Sequence, residues 1–536
     1  MRNAEQSSGD ITRRDFLYLM GMGTAGMTLA GIPELGYGAE KKPKYGGRLR
    51  VGERFASTGL DAHKNLAYPI DYQGNCLLYG GLTDISRFPK AETYPMLAKS
   101  WEISGDGREY TFLLRQGVKF HHGKELDSSD VKYSIDRVMN PATRSPRAFA
   151  FEWVEAVTIL DKYHIQIRLK ESFAPFLSSL TVLNCPIIPA GWEPTGMKPA
   201  PGTGPFKFKS FVPNETLELT RFDQYWEVDQ NMGDRLPYLD SIFIKKIVDP
   251  AVRWTALRAN DLDLILIPPL NAAIDAKKKP VPGIIVVYPV ASGNQWLFFN
   301  VTKPPFDNKK VRQAIAYAID KNELIQAAQW GLGEPIDQAF LKGSRFHVPV
   351  KDRGVDLAKA KELLAEAGYP NGVRTEFLET ATYPYDVAAC EYVIGKIKKI
   401  GVEAEMKVLD RAAWVKSLMN GEYAISIYGV GEKFEPDESY YMFLHSSEIG
   451  KNNYSRYRNK ELDALLEKGR AAVKWEERAP FYRRVIEIVN EDLPILYLAK
   501  TNIPIAFRDY VKGFDGGAGT LFAFYDGGLK KTWLDK

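Results

Sequence analysis

PMLAKSWEISGDGREYTFLLRQGVKFHHGKELDSSDV, residues 95–131, alternates, turns, alternates again and then changes to helical chemistry. Trp101-Glu102-Ile103-Ser104 reads as a strand and Gly105-Asp106-Gly107 as a turn. Residues 110–114 form the returning strand, because glycines flanking an aspartate suit a tight hairpin. Asp127-Ser128-Ser129-Asp130 then opens a helix to about Met139, with Asp127 or Ser128 as N-cap and Pro141 beyond its end. His121 and His122 are adjacent, so on a strand they point to opposite faces and read as a strand end beside the Gly123 turn.

The same alternation continues outward. Val154, Val157 and Ile159 precede the turn Asp161-Lys162, and Ile165, Ile167 and Leu169 follow it. Eight Gly and Pro residues between 191 and 205 mark a loop. A hairpin through Phe206, Phe208, Leu217 and Leu219, a strand through Ile242, Ile244 and Ile247, a helix over 252–260 and a buried strand over 262–267 follow. Upstream, residues 47–52 alternate as a short strand and 71–82 suit a helix. The second half is more helical. Val311, Ala314, Ile315, Ala318 and Ile319 make an apolar helical stripe after an expected cap at Asp307. Helices are expected over 356–367, 387–400, 412–420, 460–472 and 475–491, with strands at 402–406 and 423–428. Residues 429–456 read as a long loop. The pattern is mixed α/β in two large blocks.

The chain has 536 residues, too long for one hydrophobic core, which tends to divide beyond roughly 250–300 residues. Its 45% hydrophobic and 26% charged residues exclude disordered and coiled-coil classes. A net charge of +4 without a basic block argues against a nucleic-acid partner. Serine-hydrolase, P-loop and zinc-hydrolase patterns are all missing from the sequence. At the N-terminus, Arg13-Arg14 precede a Gly-rich apolar stretch over 16–32. This reads as a twin-arginine signal peptide over 1–39, cleaved near Gly38-Ala39, which sends the protein to the periplasm. Gly21-Met22-Gly23-Thr24-Ala25-Gly26 matches a dinucleotide-binding pattern but lies inside that segment and is discarded. Cys76, Cys185 and Cys390 are odd in number; Cys76 reads as a packed hydrophobe, with a Cys76–Cys185 bridge as the less favoured reading.

Several blocks occur in an order that resembles a known family. Residues 95–102, 106–112, 114–123 and Asp130-Val131 lead to Gly202-Thr203-Gly204-Pro205-Phe206 and Tyr225-Trp226. Asn300, Pro305, Phe306, Val311-Arg312-Gln313-Ala314, Ala318-Ile319-Asp320, Ala367-Gly368-Tyr369 and Leu462-Asp463 follow. Over roughly 45–515 the chain resembles the extracytoplasmic solute-binding proteins of ATP-driven importers, family 5, the dipeptide-, oligopeptide- and nickel-binding type. The resemblance implies an α/β type II periplasmic binding protein fold, with two lobes joined by hinge strands and an additional N-terminal subdomain. Lobe I is expected over 45–298, with the subdomain inserted at about 75–200, and again over 500–536. Lobe II is expected over 299–499, and the hinge strands near 296–300 and 497–501. The implied protein is a monomer and not an enzyme, and it needs no cofactor or metal. It captures a ligand, a peptide first of all, and delivers it to separate permease and ATPase chains. A nickel chelate, oligosaccharide, opine or aromatic compound on the same fold is the alternative; a periplasmic hydrolase or chaperone is the alternative of another class.

In peptide-binding members, an Asp in a lobe II loop pairs the α-ammonium of the peptide. The matching loop is Tyr428-Gly429-Val430-Gly431-Glu432-Lys433-Phe434-Glu435-Pro436-Asp437, where the family-like Glu435-Pro436-Asp437 brings Glu432 to the acidic position. Tyr428, Gly431 and Lys433 flank it. Gly293, Asn294 and Trp296 approach the hinge, where an extended peptide can pair with a strand edge. Phe55 and Asp61 follow the first strand at the expected cleft rim, and Tyr497 lies on the return strand.

Overall fold

Alternating side chains in a buried strand must satisfy two cores at once, and the strand Asn294–Phe299 shows how. All six residues are buried. Leu297 and Phe299 enter one apolar cluster with Val311, Ile315, Ile425, Ile427, Leu496 and Leu498. Trp296 and Phe298 enter another with Phe340, Trp414, Tyr440, Phe443, Ile495 and Tyr497. The two-residue period thus divides one strand between two layers, as expected of a sheet covered on both faces.

The computed structural model describes residues 42–536 apart from 55–58, 65–68, 87–89, 91, 196, 290–292, 382–383, 432, 434, 515 and 517–527. The expected signal segment, Phe55 and Glu432 lie outside the described residues. Residues 43–536 form one compact unit built on three main sheets.

A seven-stranded sheet runs in the order Ile284–Val287, Ile505–Arg508, Leu264–Leu266, Arg48–Glu53, Ser241–Lys246, Thr216–Arg221, Phe206–Val212. A six-stranded sheet runs Gly333–Pro335, Ile495–Thr501, Asn294–Phe299, Ile425–Val430, Val373–Thr380, Val402–Leu409. A four-stranded antiparallel sheet, Ala98–Ile103, Glu109–Leu114, His164–Leu169 and Val154–Ile159, packs with the helix Ser128–Met139 on its own core of Tyr110, Phe112, Phe120, Val131, Ile135 and Ile167.

The quoted stretch forms the expected hairpin and helix. Asp127 is the N-cap: its carboxylate accepts the Ser129 N–H at 2.9 Å, and Asp130 accepts the Asp127 N–H at 3.0 Å, closing a capping box. Lys124 Nζ lies 2.5 Å from Asp130, which also accepts the Ala190 N–H at 2.8 Å. Gly202 is required by close approach, since a Cβ there would sit 1.7 Å from the Leu78 carbonyl oxygen.

The structure shifts some expected bounds. The helix Lys309–Ala318 is capped by Asn308, not Asp307; Asn308 Oδ1 accepts the Lys310 N–H at 2.9 Å. Residues 429–456 are not one loop, because a π-turn over Asp437–Tyr441 runs into the helix Met442–Leu444. The helix expected over 71–82 is Pro69–Leu78, followed by the short strand Thr83–Ile85. The segments expected as hinges, 296–300 and 497–501, lie in or end strands of the six-stranded sheet, where Trp296 pairs with Tyr497. In sequence, Val287 and Ile505 of the seven-stranded sheet are the strand ends next to Asn294 and Thr501 of the six-stranded sheet, so the chain crosses between the two sheets at these points. All three cysteines are free, so Cys76 and Cys185 are not bridged. Cys185 packs in the core of the four-stranded unit, and Cys76 against the core of the seven-stranded sheet.

Candidate ligand-binding site

Both crossings between the large sheets leave the six-stranded sheet at one end of its strands, at Asn294 and Thr501. Asn294 pairs there with Val430 on one side and Lys500 on the other, which sets Gly293, Asn294, Gly431 and Lys500 at one level. The passages reach the seven-stranded sheet where Leu266 and Val287 both pair with Ile505. The first strand ends nearby at Glu53, which is 2% exposed and accepts the Arg54 N–H at 2.7 Å. This junction between two sheet ends is the candidate site.

A polar layer lies behind the edge. Asn294 is 2% exposed and Lys500 is fully buried. Gln329 Nε2 donates to Gln295 Oε1 at 2.6 Å, and Gln295 Nε2 donates to Asp386 Oδ1 at 2.7 Å. Burial pushes the Asp386 carboxyl up to about 7, against the Gln295 hydrogen bond. Glu379, at the end of the neighbouring strand, is pushed up to about 8 by burial, while Cys390 Sγ donates to it at 2.9 Å. Removing a carboxylate from water disfavours its charged form, and burial is the largest cause for both acids. Apart from Asn294, none of these groups was selected from the sequence as a site residue. A Glu-Thr pair ending the run Phe377-Leu378 was the available signal.

The residues expected from the sequence fall into separate groups. Gly293, Asn294, Gly431 and Lys433 lie on the edge or on the loop that leaves it. Tyr428 is half-buried and stacks on Trp414, with ring centroids 5.2 Å apart at 11°. Trp296 and Tyr497 depart from the expectation: they are 0% and 2% exposed and pack edge to face at 5.1 Å within the core under the edge. Asp61 departs too. It lies 3% exposed inside the seven-stranded half, where Arg137 binds it through two nitrogens at 2.9 and 2.7 Å. His63 completes that cluster and donates to the Pro186 carbonyl at 2.7 Å. Alternation alone could not separate these buried partners from a cleft rim, because the ion pair joins residues 76 apart in sequence.

The loop after Val430 is tied to the four-stranded unit. Asp437 pairs with Arg470 at 2.9 Å, and burial raises its carboxyl to about 6 despite that partner. The Arg470 guanidinium lies over Tyr441 at 3.5 Å, Trp153 at 5.0 Å and Phe173 at 5.1 Å. The Ala174 N–H donates to the Arg470 carbonyl at 2.7 Å, and Ser172 Oγ to the Ala471 carbonyl at 2.5 Å. Glu435 is buried against Arg478. The Glu435-Pro436-Asp437 acids are therefore engaged within the protein.

A cavity of about 370 Å³ lies at the other end of the strand Ile495–Thr501, lined by Asp320, Lys321, Asp337, Arg353 and Leu496. It is set aside as the site, because Lys321 is already paired with Asp337 and it lies away from the passages between sheets.

The model of bacterial extracellular solute-binding proteins, family 5 (middle region), matches residues 92–451. The chain belongs to this family. It adopts the type II periplasmic binding protein fold of its structural relatives, two lobes with an added N-terminal subdomain. It is 33% identical over 466 residues to heme-binding protein A of Haemophilus influenzae, covering 80% of this chain and 83% of that one. It is 28% identical to the glutathione-binding protein GsiB of Pectobacterium atrosepticum, covering 90% and 93%. The periplasmic binding protein DppA of Helicobacter pylori, solved with the peptide STSA, superposes with a TM-score of 0.74 at 27% identity, covering 92% and 99%. This chain is thus an extracellular solute-binding protein, and its relatives are binding proteins rather than enzymes.

Proposed function

We propose that the protein binds a peptide-class solute, a short peptide or glutathione, between its lobes and hands it to the permease and ATPase chains of an importer. The observation that carries this reading is the edge at Asn294, Val430 and Lys500, where strand ends, a polar layer and both interlobe passages meet. Backbone N–H and C=O groups beyond the last paired residues of these strands, with the side chains beside them, can hydrogen-bond an extended ligand. Relatives named for glutathione and found with peptide support the same class. A heme reading has the 33% identical relative in its favour. It is weaker because none of the six histidines lies on the edge segments. Lobe I is assigned to 43–287 with the return from 505, lobe II to 294–501, and the hinge to 288–293 and 502–504. Glu432 is assigned to the ligand's ammonium group. We further assign 1–39 to a cleaved twin-arginine signal that exports a monomer to the periplasm.

Thermal shift of the mature protein against dipeptides, oligopeptides, glutathione, heme, sugars and nickel chelates tests the ligand class. A ligand that binds only the folded state at a hundred times its Kd adds about 2.7 kcal/mol, which raises the midpoint by a few degrees. Stabilisation by peptides or glutathione, weakened in Glu432→Gln, is the expected result. Stabilisation by heme alone, or turnover of a substrate with no stabilisation by any class, refutes the reading.

A further inference from the structure

Arg115 is held in place without being used up. It follows the strand Glu109–Leu114, and its backbone N–H donates to the Leu97 carbonyl at 2.9 Å. Its Nε donates to the Met96 carbonyl at 2.5 Å, and its guanidinium lies over the Trp226 ring, 4.8 Å from the centroid. Two distant parts of the chain thus fix a planar fork. Its terminal nitrogens have no hydrogen-bond or ion-pair partner among the described residues. Arg137, Arg312, Arg470 and Arg478 differ, because their nitrogens are spent on carboxylates or carbonyls of the protein.

A cavity of about 430 Å³ is lined by Arg115, Lys99, Gln116 and Trp226 together with apolar residues. None of its lining residues is acidic, and none belongs to the junction at Asn294. Lys99 reaches it from an edge strand. Ala98 pairs with Leu114 and Ser100 with Leu113, so Lys99 is the extra residue of a β-bulge. A bulge re-aims a side chain, and here it leaves two consecutive residues, Lys99 and Ser100, exposed. The side chains of Lys99 and Gln116 make no hydrogen bond or ion pair among the described residues. The Trp226 indole N–H is buried and has no acceptor among them either. A buried polar group left unpaired calls for a partner from outside the chain.

We propose that this cavity on the four-stranded unit is a second binding site, separate from the junction between the large sheets, and that it takes a phosphomonoester group. A fixed guanidinium offers parallel N–H groups to two oxygens of a phosphate, and an ammonium adds a point charge. Both charged groups on the wall are positive, which matches a group that carries close to two negative charges at neutral pH and three acceptor oxygens. A carboxylate would fill the fork and leave one cation without a counter-charge. A concave wall of one sign also focuses its field and raises the local concentration of anions. The volume exceeds that of a bare ion and suits a small phosphorylated molecule. A phosphatidate headgroup presents the same chemistry.

The test is fluorine NMR of the protein labelled with fluorotryptophan, with the Trp226 signal assigned through Trp226→Phe. Millimolar inorganic phosphate and glycerol phosphate are expected to shift that signal saturably, and sodium chloride at equal ionic strength is not. Lys99→Met should weaken the apparent affinity about tenfold, the scale of one charge-assisted contact, whereas Lys99→Arg should keep it. Arg115→Lys keeps the charge but loses the fork and the stacking, and should weaken binding at least as much. Lys99 is exposed, so its variants serve if Arg115→Lys does not fold. Vesicles of phosphatidate and of phosphatidylcholine separate the two sources of the group. Co-sedimentation with phosphatidate alone, lost in Lys99→Met, assigns the site to a lipid. A saturable phosphate shift without co-sedimentation assigns it to a soluble molecule. The site is overturned if neither phosphate shifts the signal saturably and phosphatidate does not carry the protein down. It is equally overturned by a shift that chloride reproduces, or that Lys99→Met and Arg115→Lys leave unchanged.

Discussion

Glu379 and Asp386 are buried carboxyls held up at about 8 and 7, while His63 and His121 are buried imidazoles held down at about 4. Burial is the first cause in all four. The His121 ring is also oriented for neutrality, because Nδ1 accepts the Gly202 N–H at 3.1 Å and Nε2 donates to the Gly204 carbonyl at 3.0 Å. The signs follow from linkage. A histidine with a depressed native pKa stabilises above its unfolded value near 6.5, and the benefit is lost as pH falls toward 4. A carboxyl with a raised native pKa stabilises below its unfolded value, and the benefit is lost as pH rises through 7 to 8. Between about pH 4.5 and 6.5 the two effects oppose each other; above 6.5 the carboxyls act alone. The melting midpoint of wild type should therefore fall between pH 6.5 and 8. Glu379→Gln, which still accepts the Cys390 thiol, should flatten that fall and gain more at pH 8 than at pH 5. Parallel melting profiles for the two proteins would remove Glu379 as the cause.

At the scale of elements, the most recognisable stretch of the chain is scaffold. Asp127, Asp130 and Lys124 serve a helix start, and Gly202 lets the loop over 202–204 lie on the backbone of Leu78. Asn300 and Arg312, from another recognisable block, are spent on backbone carbonyls: Asn300 on those of Gly421 and Tyr423, Arg312 on those of Phe306 and Asp492. The helix Lys460–Ala471 does more than pack, because its Arg470 fastens it to Trp153, Phe173 and Ala174 of the four-stranded unit. Arg470→Ala should remove three ring contacts, each worth about 0.5–1 kcal/mol, and leave Asp437 buried without its partner. A loss of about 2–4 kcal/mol at pH 7.5 is expected in denaturant unfolding. The loss should shrink at pH 5, where Asp437 can take up a proton. Arg470→Lys should recover only part of it, since an ammonium does not stack as a planar guanidinium does. No change in stability at pH 7.5 would mean that the contact is incidental.

For the whole molecule, the chain crosses twice between two separately packed sheets, from Val287 to Asn294 and from Thr501 to Ile505. A pair of short connections lets packed bodies rotate while each core stays intact. The radius of gyration should therefore fall when the ligand found by thermal shift saturates the protein. A constant radius at saturation would contradict hinge closure.

Local chemistry alone determined much of this protein. The two-residue and helical periods, the Asp127 cap, the turn glycines and the ordered blocks were enough for the mixed α/β architecture and the family. They rest on interactions between residues near in sequence, or on runs of one chemical type. The candidate site was legible only in outline. Sequence singled out Gly293, Asn294, Gly431 and Lys433, which sit at or just beyond strand ends of the six-stranded sheet. It could not show that Trp296 and Tyr497 face a closed core, that Asp61 is spent on Arg137, or that Asp437 belongs to Arg470. Nor could it show the layer of Gln295, Gln329, Glu379 and Asp386. Each of these depends on which distant side chain arrives, and on how much water remains once it has. Burial and long-range pairing belong to the assembled fold, so the tertiary structure alone decided which charges are paired within the protein.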